Sequence, residues 1–373
     1  MGATGKAAVF FGPGRPFQIQ ELPLPALEPG AVLIRVTLAN VCGSDLHFWR
    51  GDAPLALPPD GWIFGHEMTG RVAALGPGVK TDSLGRPLRE GDRAAFSYFY
   101  PCGRCYVCLR GHRAACPNKV GRPTGPSEFP HWVGAFAEYY YVRPGGVLFR
   151  VPDDLPDALV SPVNCALSQV IYGLTQVGLG LGDSVVIQGA GGLGIQATAV
   201  AREMGASPIV VVDQVAERLA LARAFGADHT LSLAEVPDRK ARVKLVRDWT
   251  GGRGADVACD FVGLPAVVPE GIEMLRYGGT YLEIGCISRG RTVELDPSAL
   301  VWGSKRLVGV VMYDPWVIPR ALEFLQRCRT RYPFERLVSH TFPLTEIDEA
   351  FRQAEWDSRA PASSRITRAA LAP

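Results

Sequence analysis

Five of the nine cysteines in this chain have spacings that suit metal chemistry, and they form two groups. Cys102, Cys105, Cys108 and Cys116 lie within one 15-residue segment, spaced C-x2-C-x2-C-x7-C. Four thiolates this close in sequence can surround one tetrahedral zinc ion and leave no coordination position open, which is typical of a structural site. We therefore predict a structural zinc lobe at residues 102–116.

Cys42 lies apart from that lobe, in the segment CGSDLH, and the triplet Gly65-His66-Glu67 follows it. One thiolate, one imidazole and a third ligand from farther along the chain can hold zinc with one position open. Zinc with an open position acidifies a bound hydroxyl and polarises a bound carbonyl. The sequence therefore predicts a catalytic zinc site beside the structural one.

A glycine-rich turn in the second half of the chain predicts a dinucleotide site. Gly189, Gly191 and Gly194 fit the pattern G-x-G-x-x-G, with Ala190, Gly192 and Leu193 in the remaining positions, directly after the apolar run SVVIQ. In this pattern the first glycine permits a tight turn, the second admits a pyrophosphate and the third lets a helix pack on the strand. The phosphates would then face the free N–H groups of the helix.

An acidic residue follows this turn at the spacing that a dinucleotide site requires. Asp213 ends the apolar run PIVVVD, 19 residues after Gly194. A carboxylate there binds ribose hydroxyls and repels a 2′-phosphate, which favours NAD over NADP. Arg218 is a reservation, because a guanidinium so close could favour that phosphate.

The secondary structure around these residues can be predicted from the distribution of apolar runs, glycine and proline along the sequence. Up to about residue 160, short apolar runs are broken by glycine and proline, which indicates β-structure. From about Leu181 strand-like and helix-like runs alternate, which indicates a parallel α/β sheet. After about Pro315 a helical run is followed by short β-like runs. We predict domains at 1–163, 164–314 and 315–373, the last returning to the first.

Composition limits the classes of function. With 373 residues, 47% hydrophobic and 20% charged, the chain is expected to be a globular protein of two domains. The net charge is +2 and no basic block stands out, so nucleic acid and membrane are not expected as partners. No apolar run suits a signal peptide or a membrane span. The odd cysteine count and tight spacing suggest reduced thiols in the cytoplasm.

These motifs together resemble those of the zinc-containing medium-chain alcohol dehydrogenases, a group that includes sorbitol and threonine dehydrogenases. The matching parts are the segment 42–47, the triplet 65–67, the four-cysteine lobe, the glycine-rich turn and Asp213. The closing segment VSHTFPLTEIDEAFRQ is also similar. The resemblance implies a β-rich GroES-like catalytic domain with an inserted Rossmann domain, a doubly wound parallel sheet. It also implies an NAD-dependent oxidoreductase with one catalytic and one structural zinc ion.

The resemblance assigns the ligands of the catalytic zinc to Cys42, His66 and a third residue. Cys165 stands where the family has a cysteine or a glutamate. Glu67 is the alternative, since relatives use this acid as a ligand in some states. We favour Cys165, with Glu67 close to the metal. Two thiolates and one imidazole suit zinc better than magnesium or calcium.

Three residues near Cys42 match the family's supporting positions. Asp45 is expected to orient His66 and raise its basicity. Ser44 resembles the hydroxyl that relays the substrate's proton. His47 resembles the outer imidazole that carries this proton to solvent through the nicotinamide ribose, a role that suits a group titrating near neutral pH.

The substrate is predicted only by class. Relatives line their substrate site with residues that follow the zinc motif, and the aromatic and apolar candidates here are Phe48, Trp49, Leu55, Leu57, Trp62, Phe96, Trp132, Trp302 and Tyr313. An apolar wall favours a bulky or cyclic secondary alcohol or its ketone; packing in the core is the other interpretation. Polyol-active relatives usually carry glutamate at the position of Cys165.

Two other functions remain open on the sequence. One is a polyol or amino-alcohol dehydrogenase on the same scaffold, and the other is a non-catalytic protein that binds NAD and zinc. Relatives pair through an edge strand of the Rossmann sheet, and residues 306–312 are the candidate for that strand. A homodimer or a homotetramer is expected.

Overall fold

The structure is a computed structural model that describes residues 2–52, 56–119, 124–355 and 368–373. Leu55, one of the predicted substrate-wall residues, lies outside these ranges. The strands are β1 (Thr4–Val9), β2 (Gln18–Pro23), β3 (Val32–Asn40), β4 (Glu67–Leu75), β5 (Arg93–Phe96), β6 (Tyr139–Val142), β7 (Leu148–Arg150), β8 (Val185–Gln188), β9 (Ile209–Asp213), β10 (His229–Ser232), β11 (Ala255–Asp260), β12 (Leu275–Glu283), β13 (Arg306–Gly309), β14 (His340–Pro343) and β15 (Ala369–Ala372).

Helices connect and flank these strands. They are α1 (Gly43–Arg50), α2 (Tyr106–Leu109), α3 (Asp157–Val160), α4 (Ser168–Gln176), α5 (Gly192–Glu203), α6 (Ala216–Ala224), α7 (Arg239–Trp249), α8 (Val267–Met274), α9 (Ser298–Gly303), α10 (Val317–Cys328) and α11 (Ile347–Ala354). Short 3₁₀ turns cover Arg113–Ala115, Phe334–Arg336 and Leu344–Glu346, and a π-helical turn covers Val163–Leu167.

The chain divides into two compact units. The first contains Met1–Ser168, Asp314–Thr330 and Phe334–Pro373, and the second contains Gln169–Tyr313 and Arg331–Pro333. The chain therefore leaves the first unit after Ser168, whereas we predicted a boundary after residue 163. The physical reason is that the π-helical turn packs against β4 and β5, so Cys165 belongs to the first unit.

The first unit is built on a seven-stranded sheet, mainly antiparallel, with the order β14-β15-β3-β4-β5-β7 and β6 paired with β3. The long strands β3 and β4 form its centre, and their register places Asn40 opposite Glu67. The final strand β15 pairs antiparallel with the end of β3. The segments after β3 and before β4, which contain Cys42 and His66, therefore emerge at the same end of the sheet.

The second unit contains a six-stranded parallel sheet with the order β10-β9-β8-β11-β12-β13. The chain passes from β8 outward to β9 and β10, and then returns to β11 on the other side of β8. This reversal of strand order is the point at which open α/β sheets bind ligands, outside the carboxyl ends of the strands. The predicted fold class, a β-rich domain with an inserted Rossmann domain, is confirmed.

One helical stretch among the described residues, Asp157–Gln176, is long and apolar enough to cross a membrane. Its most apolar window is 78% buried inside the protein, as in the core helix of a globular fold. The stretch is therefore weak evidence for a membrane span.

Candidate functional site

Three of the predicted zinc ligands come together in the first unit. The ligand atoms of Cys42, His66 and Cys165 all lie within 4.8 Å of one another. Cys42 occupies the N-cap position of α1, His66 immediately precedes β4, and Cys165 lies in the π-helical turn. Sulfur and nitrogen ligands at tetrahedral zinc are about 3.5–3.8 Å apart, given bonds of about 2.0–2.3 Å, so this donor set fits zinc.

Asp45 and Ser44 flank the two ring nitrogens of His66. Asp45 Oδ1 lies 3.3 Å from His66 Nδ1, and Ser44 Oγ lies 3.4 Å from His66 Nε2. The carboxylate favours the tautomer with a proton on Nδ1, which leaves the lone pair of Nε2 available to a metal. Asp45 Oδ2 also accepts the backbone N–H of Cys42 at 2.9 Å, so one buried side chain connects both ligand segments.

Charges inside this group are strongly coupled. The pKa of the Cys42 thiol is lowered well below its usual value, because the Cys165 side chain hydrogen-bonds to its thiolate and because His66 adds positive charge. The pKa of Cys165 is raised, because its proton is held by Cys42 and because it is buried. Burial alone would lower the pKa of His66, but Asp45 and Cys42 raise it well above its usual range. Such a set of thiols and imidazole releases protons when it binds a cation.

Glu67 is paired with a residue from the other end of the chain. Its Oε1 accepts a hydrogen bond from Arg368 Nη1 at 2.5 Å, and both side chains are buried. Its Oε2 is buried with no hydrogen-bond partner among the described residues. Burial raises the pKa of Glu67 to about 7, although Arg368 acts in the opposite direction. Glu67 is thus adjacent to the ligand set but is engaged by Arg368.

His47 lies on the same helix as Ser44 but has a different environment. It is buried, and its Nδ1 lies 3.2 Å from Asp52 Oδ2. Arg50 Nε lies 3.1 Å from the same oxygen. The carboxylate of Asp52 therefore fixes the orientation of the His47 ring.

The four-cysteine lobe brings its thiols together as predicted. The sulfur atoms of Cys102, Cys105, Cys108 and Cys116 all lie within 4.8 Å of one another. Cys116 Sγ lies 3.6 Å from Cys102 Sγ and 3.9 Å from Cys105 Sγ. Two sulfur atoms bound to one tetrahedral zinc ion are expected to be about 3.8 Å apart, so these distances fit such a site. Backbone N–H groups at Arg104 and then Cys105 lower the pKa of Cys102 to about 6. The four thiols fit one zinc ion.

The glycine-rich turn has the backbone that each predicted role requires. Gly189 has a φ of +94°, which non-glycine residues rarely adopt. A Cβ on Gly194 would lie 1.7 Å from Gly189 O, so only glycine allows α5 to pack this closely on the turn. Gly191 has open space around it, and α5 begins at Gly192, followed by Leu193. The turn can therefore admit a phosphate at the start of α5.

Asp213 lies at the carboxyl end of β9, beside this turn. Its two carboxylate oxygens accept the backbone N–H groups of Ala190 at 2.6 Å and Val215 at 2.8 Å. It therefore braces the glycine-rich turn, a role that the sequence did not indicate. Arg218 is partly exposed on α6.

The aromatic candidates for a substrate wall separate into two groups. Phe96, Trp132 and Tyr313 are fully buried, and Trp302 is 82% exposed, so the prediction that these four form a wall is wrong. The first three fill hydrophobic cores, and nothing in the described unit covers Trp302. Phe48, Trp49, Leu57 and Trp62 are half-buried and remain candidates.

Two residues that lie against the ligand set carry no recognisable signal in the sequence. Tyr98 packs on His66 with ring centroids 4.8 Å apart, and Arg368 binds Glu67. Tyr98 lies two positions beyond Phe96, just after β5, and no motif distinguished the two rings. Arg368 is 301 residues from Glu67, and no local pattern could have paired them.

A third cluster lies in the second unit, at the carboxyl ends of β11 and β12. Ligand atoms of Asp260, Glu283 and Cys286 lie within 4.8 Å of one another. Cys259 and Cys328 are buried, and Cys286 has a different environment. Cys286 is partly exposed and its thiol donates to Asp260 Oδ2 at 3.5 Å. The cluster thus holds two carboxyl groups side by side.

Glu283→Gln should make the protein more stable at alkaline pH. Burial, and then the charge of Asp260, raise the pKa of Glu283 from 4.5 to about 7. Since the folded pKa exceeds the unfolded one, this group's contribution to stability is full below pH 4.5 and is lost as the pH rises to about 7. Glutamine cannot ionise, and its amide can donate to Asp260. The gain at pH 8 should be about 1–2 kcal/mol, allowing for partial exposure.

Thermal melts of both proteins from pH 5 to pH 8 measure this effect. The melting temperatures should converge at pH 5 and separate at pH 8, with the variant higher. Parallel curves at every pH would show that Glu283 does not hold its proton in the folded state.

Comparison with known proteins gives matches in both units. Residues 28–153 match the family model of the alcohol dehydrogenase GroES-like domain, and residues 192–327 match that of zinc-binding dehydrogenases. The 5-exo-hydroxycamphor dehydrogenase of Pseudomonas putida is 32% identical over 331 residues, which cover 88% of this chain and 90% of that protein. The sorbitol dehydrogenase of Bacillus subtilis (strain 168) is 30% identical, with 94% of this chain and 93% of that protein covered.

A similar solved structure extends over the whole chain. An alcohol dehydrogenase from Thermotoga maritima has a TM-score of 0.90 at 28% identity, with 100% of both chains covered. The fold of the two units is therefore that of a solved dehydrogenase.

Proposed function

Because this chain belongs to the zinc-dependent alcohol dehydrogenase family, we propose that it transfers a hydride from a bulky or cyclic secondary alcohol to NAD, and in the reverse direction from NADH to the ketone. The protein is an oxidoreductase that uses zinc and a nicotinamide dinucleotide. The observation that carries the proposal is the convergence of Cys42, His66 and Cys165 within 4.8 Å. Three protein ligands leave tetrahedral zinc one position for a substrate oxygen.

Cys165 is the proposed third ligand rather than Glu67. Its sulfur lies within the compact group of ligand atoms, whereas the Glu67 carboxylate is engaged by Arg368. When bound, zinc supplies Lewis acidity that lowers the pKa of a hydroxyl and polarises a carbonyl. Cys42 and Cys165 provide anionic sulfur, and Asp45 keeps His66 in the tautomer that presents Nε2.

The proton of the alcohol is proposed to leave through Ser44 and His47. Ser44 Oγ lies 3.4 Å from His66 Nε2, so it is close to where the hydroxyl oxygen of the alcohol would bind. It accepts the hydroxyl proton and passes its own onward. His47 then receives a proton at Nε2, because Asp52 engages Nδ1. An imidazolium beside a carboxylate is stabilised, which suits a temporary proton carrier.

Two observations support a bulky, apolar substrate. The Tyr98 ring packs against His66, and Phe48 contacts Trp62 edge to face with centroids 5.8 Å apart. The Tyr98 ring beside His66 and the half-buried rings of Phe48 and Trp62 offer apolar surface, which suits an apolar substrate better than the many hydroxyls of a polyol. The hydroxycamphor dehydrogenase relative acts, by its name, on a cyclic secondary alcohol. Cysteine at position 165, rather than glutamate, argues in the same direction.

An NAD-linked activity screen of the zinc-loaded protein tests this proposal. Cyclic and aryl-substituted secondary alcohols should give kcat/KM at least about tenfold above sorbitol and threonine, since each well-buried methylene contributes about 0.8 kcal/mol. Activity with sorbitol or threonine alone would favour the polyol or amino-alcohol function. No turnover with any alcohol or ketone, despite bound zinc and NAD, would favour a non-catalytic protein.

A preference for NAD over NADP is proposed on the basis of Asp213. Asp213→Asn should lower the ratio of kcat/KM for NAD to that for NADP by about 10–100-fold, because a hydrogen bond to a charged group is worth about 1.5–3 kcal/mol. Asparagine retains one acceptor for the backbone N–H groups of Ala190 and Val215, which alanine would not. Steady-state kinetics with both cofactors measure the ratio.

Arg218→Gln is the matched control for this prediction. Removing a cation should reduce the use of NADP and leave NAD unaffected, the opposite direction to Asp213→Asn. If Asp213→Asn keeps the wild-type ratio, the ribose contact has been assigned to the wrong residue.

We also propose a homodimer or homotetramer in the cytoplasm. The strand β13 is the last strand on one side of the parallel sheet among the described residues. Apolar side chains near it are exposed, among them Val301 at 76%, Trp302 at 82% and Val311 at 53%. An open strand edge with apolar neighbours suits pairing with a second copy. Light scattering measures the number of copies in the assembly.

All nine cysteines are free, which supports the cytoplasm, a reducing compartment, as the location.

A further inference from the structure

The segment that carries Cys165 interrupts the regular hydrogen bonding of one helical stretch, Asp157–Gln176. Cys42 caps α1 and His66 leads directly into β4, so each continues into a standard element. Cys165 instead lies in the middle of a π-helical turn, in which the Leu167 N–H bonds to Pro162 O at 3.0 Å. Such turns are rare and occur mostly as single turns within helices. Because the regular helical bonding is interrupted there, contacts with neighbouring side chains help to set the position of this sulfur.

One such contact joins the turn to the strand that follows His66. Asn164 is fully buried, and its side-chain carbonyl oxygen accepts the backbone N–H of Met68 at 3.2 Å. Met68 is the second residue of β4, two positions after His66. The pairing of β4 with β5 involves Gly70 and Arg71, so Asn164 bonds the strand just before that ladder begins.

A second contact joins the same region to the strand that precedes Cys42. Asn40, the last residue of β3, donates from Nδ2 to Ser161 Oγ at 2.9 Å. Both side chains are fully buried. Asn40 lies two positions before Cys42, and Ser161 lies four positions before Cys165. The register of the sheet places Asn40 opposite Glu67, so the two contacts lie on neighbouring strands at one end of the sheet.

We propose that Asn40, Ser161 and Asn164 form a clamp that sets the distance of Cys165 from Cys42 and His66. The inference rests on the proposed function, because it assumes that Cys42, His66 and Cys165 hold zinc. The clamp residues are positioning residues: each acts through the backbone of a ligand segment. Without the clamp the π-helical turn can shift, and a three-ligand site loses affinity when one ligand is displaced.

The competing interpretation is that these side chains only satisfy buried polar groups. A buried backbone N–H needs an acceptor wherever it occurs, and losing one destabilises any fold. Both interpretations predict lower thermal stability for a clamp variant. They differ in the affinity of the catalytic zinc, which only the clamp interpretation lowers.

Asn164→Leu separates the two interpretations, because leucine has a similar volume and no acceptor. The zinc-loaded full-length protein is titrated with a chelator, and the zinc that remains is measured. One of the two zinc ions should dissociate at a chelator strength about 10–100-fold lower than in the wild type, and the other should be unchanged. Cys42→Ser, expected to keep the lobe zinc alone, identifies which ion remains.

Thr69→Val is the matched control. Thr69 is fully buried in the same strand, one residue beyond Met68, and donates to Ala94 O at 3.2 Å. Valine removes that hydrogen bond and leaves the side chains of Asn40, Ser161 and Asn164 unchanged. This variant should lose stability but keep wild-type affinity for both zinc ions.

The outcomes are distinct. Equal zinc affinities in Asn164→Leu, Thr69→Val and the wild type would overturn the clamp and leave the proposed function intact. A wild-type protein that binds zinc only in the lobe would overturn the proposed function itself. Should Asn164→Leu fail to fold, Ser161→Ala decides: it removes one hydroxyl and should weaken the catalytic zinc about threefold to tenfold. Wild-type affinity in that variant would also overturn the clamp.

Discussion

Cys42→Ser should lower the turnover of alcohol oxidation by about a thousandfold, while the Kd for NAD stays at the wild-type value. Serine is a poor zinc ligand, because its hydroxyl does not ionise near neutral pH as a thiol can. Losing the Lewis acid removes several kcal/mol of charge stabilisation, and about 4 kcal/mol corresponds to this factor. NAD binding is expected to persist, because the glycine-rich turn and Asp213 belong to the second unit.

The position of Cys42 makes this substitution specific. Cys42 is the N-cap residue of α1, with an extended φ/ψ of −84° and 155°. Serine is among the preferred N-cap residues, so the local fold should survive. The readouts are kcat, the zinc content, which should fall from two ions to one, and the Kd for NAD by fluorescence quenching. Wild-type turnover would remove a metal at Cys42 from the mechanism.

The second large effect is expected in the lobe, where Cys105→Ser should lower the melting temperature by about 10 °C. Tyr106 and Leu109 are 75% and 76% exposed, so α2 buries little apolar surface. A segment without its own core depends on its metal, and structural zinc contributes folding free energy directly. A loss of about 3–4 kcal/mol gives a shift of this size in a unit of about 225 residues. Turnover at 25 °C should change less than about threefold, because the lobe thiols are not part of the other ligand set.

The two variants control each other. Cys105, like Cys42, is an N-cap residue with extended backbone, at the start of α2. Each variant therefore exchanges the same atoms at the same helical position and removes one zinc ligand. The expected results are opposite: one loses turnover and keeps stability, and the other loses stability and keeps turnover. Differential scanning calorimetry and steady-state kinetics on both proteins measure this, and the reverse ranking would assign the chemistry to the lobe.

Several parts of the fold were predictable because they depend on residues close in sequence. The helix expected after the glycine-rich turn is observed as Gly192–Glu203, and the apolar run PIVVVD is observed as the strand Ile209–Asp213. Strand, glycine-rich turn and helix follow one another without interruption, so the local pattern determines the element. The same holds for the lobe, whose four thiols are within 15 residues.

Other features were not predictable, because they arise from contacts between distant segments. Phe96 and Tyr98 are two aromatic residues in one run, yet only Tyr98 reaches His66. Which side chain faces the metal ligands depends on the register of β5 and on where this strand ends. The π-helical turn at Cys165 is equally hidden, since its sequence VNCAL suits an ordinary helix.

The sequence by itself determined the types of chemistry: two sets of soft metal ligands, a dinucleotide turn with an acidic partner, and the order of the two domains. Ligand identity and turn geometry are properties of short segments, so they can be read from the chain. The tertiary structure decided which partners these groups have, namely Arg368 for Glu67, the backbone of Met68 for Asn164, and Tyr98 for His66. Burial and pairing depend on how strands far apart in sequence come together, and no local pattern contains that information.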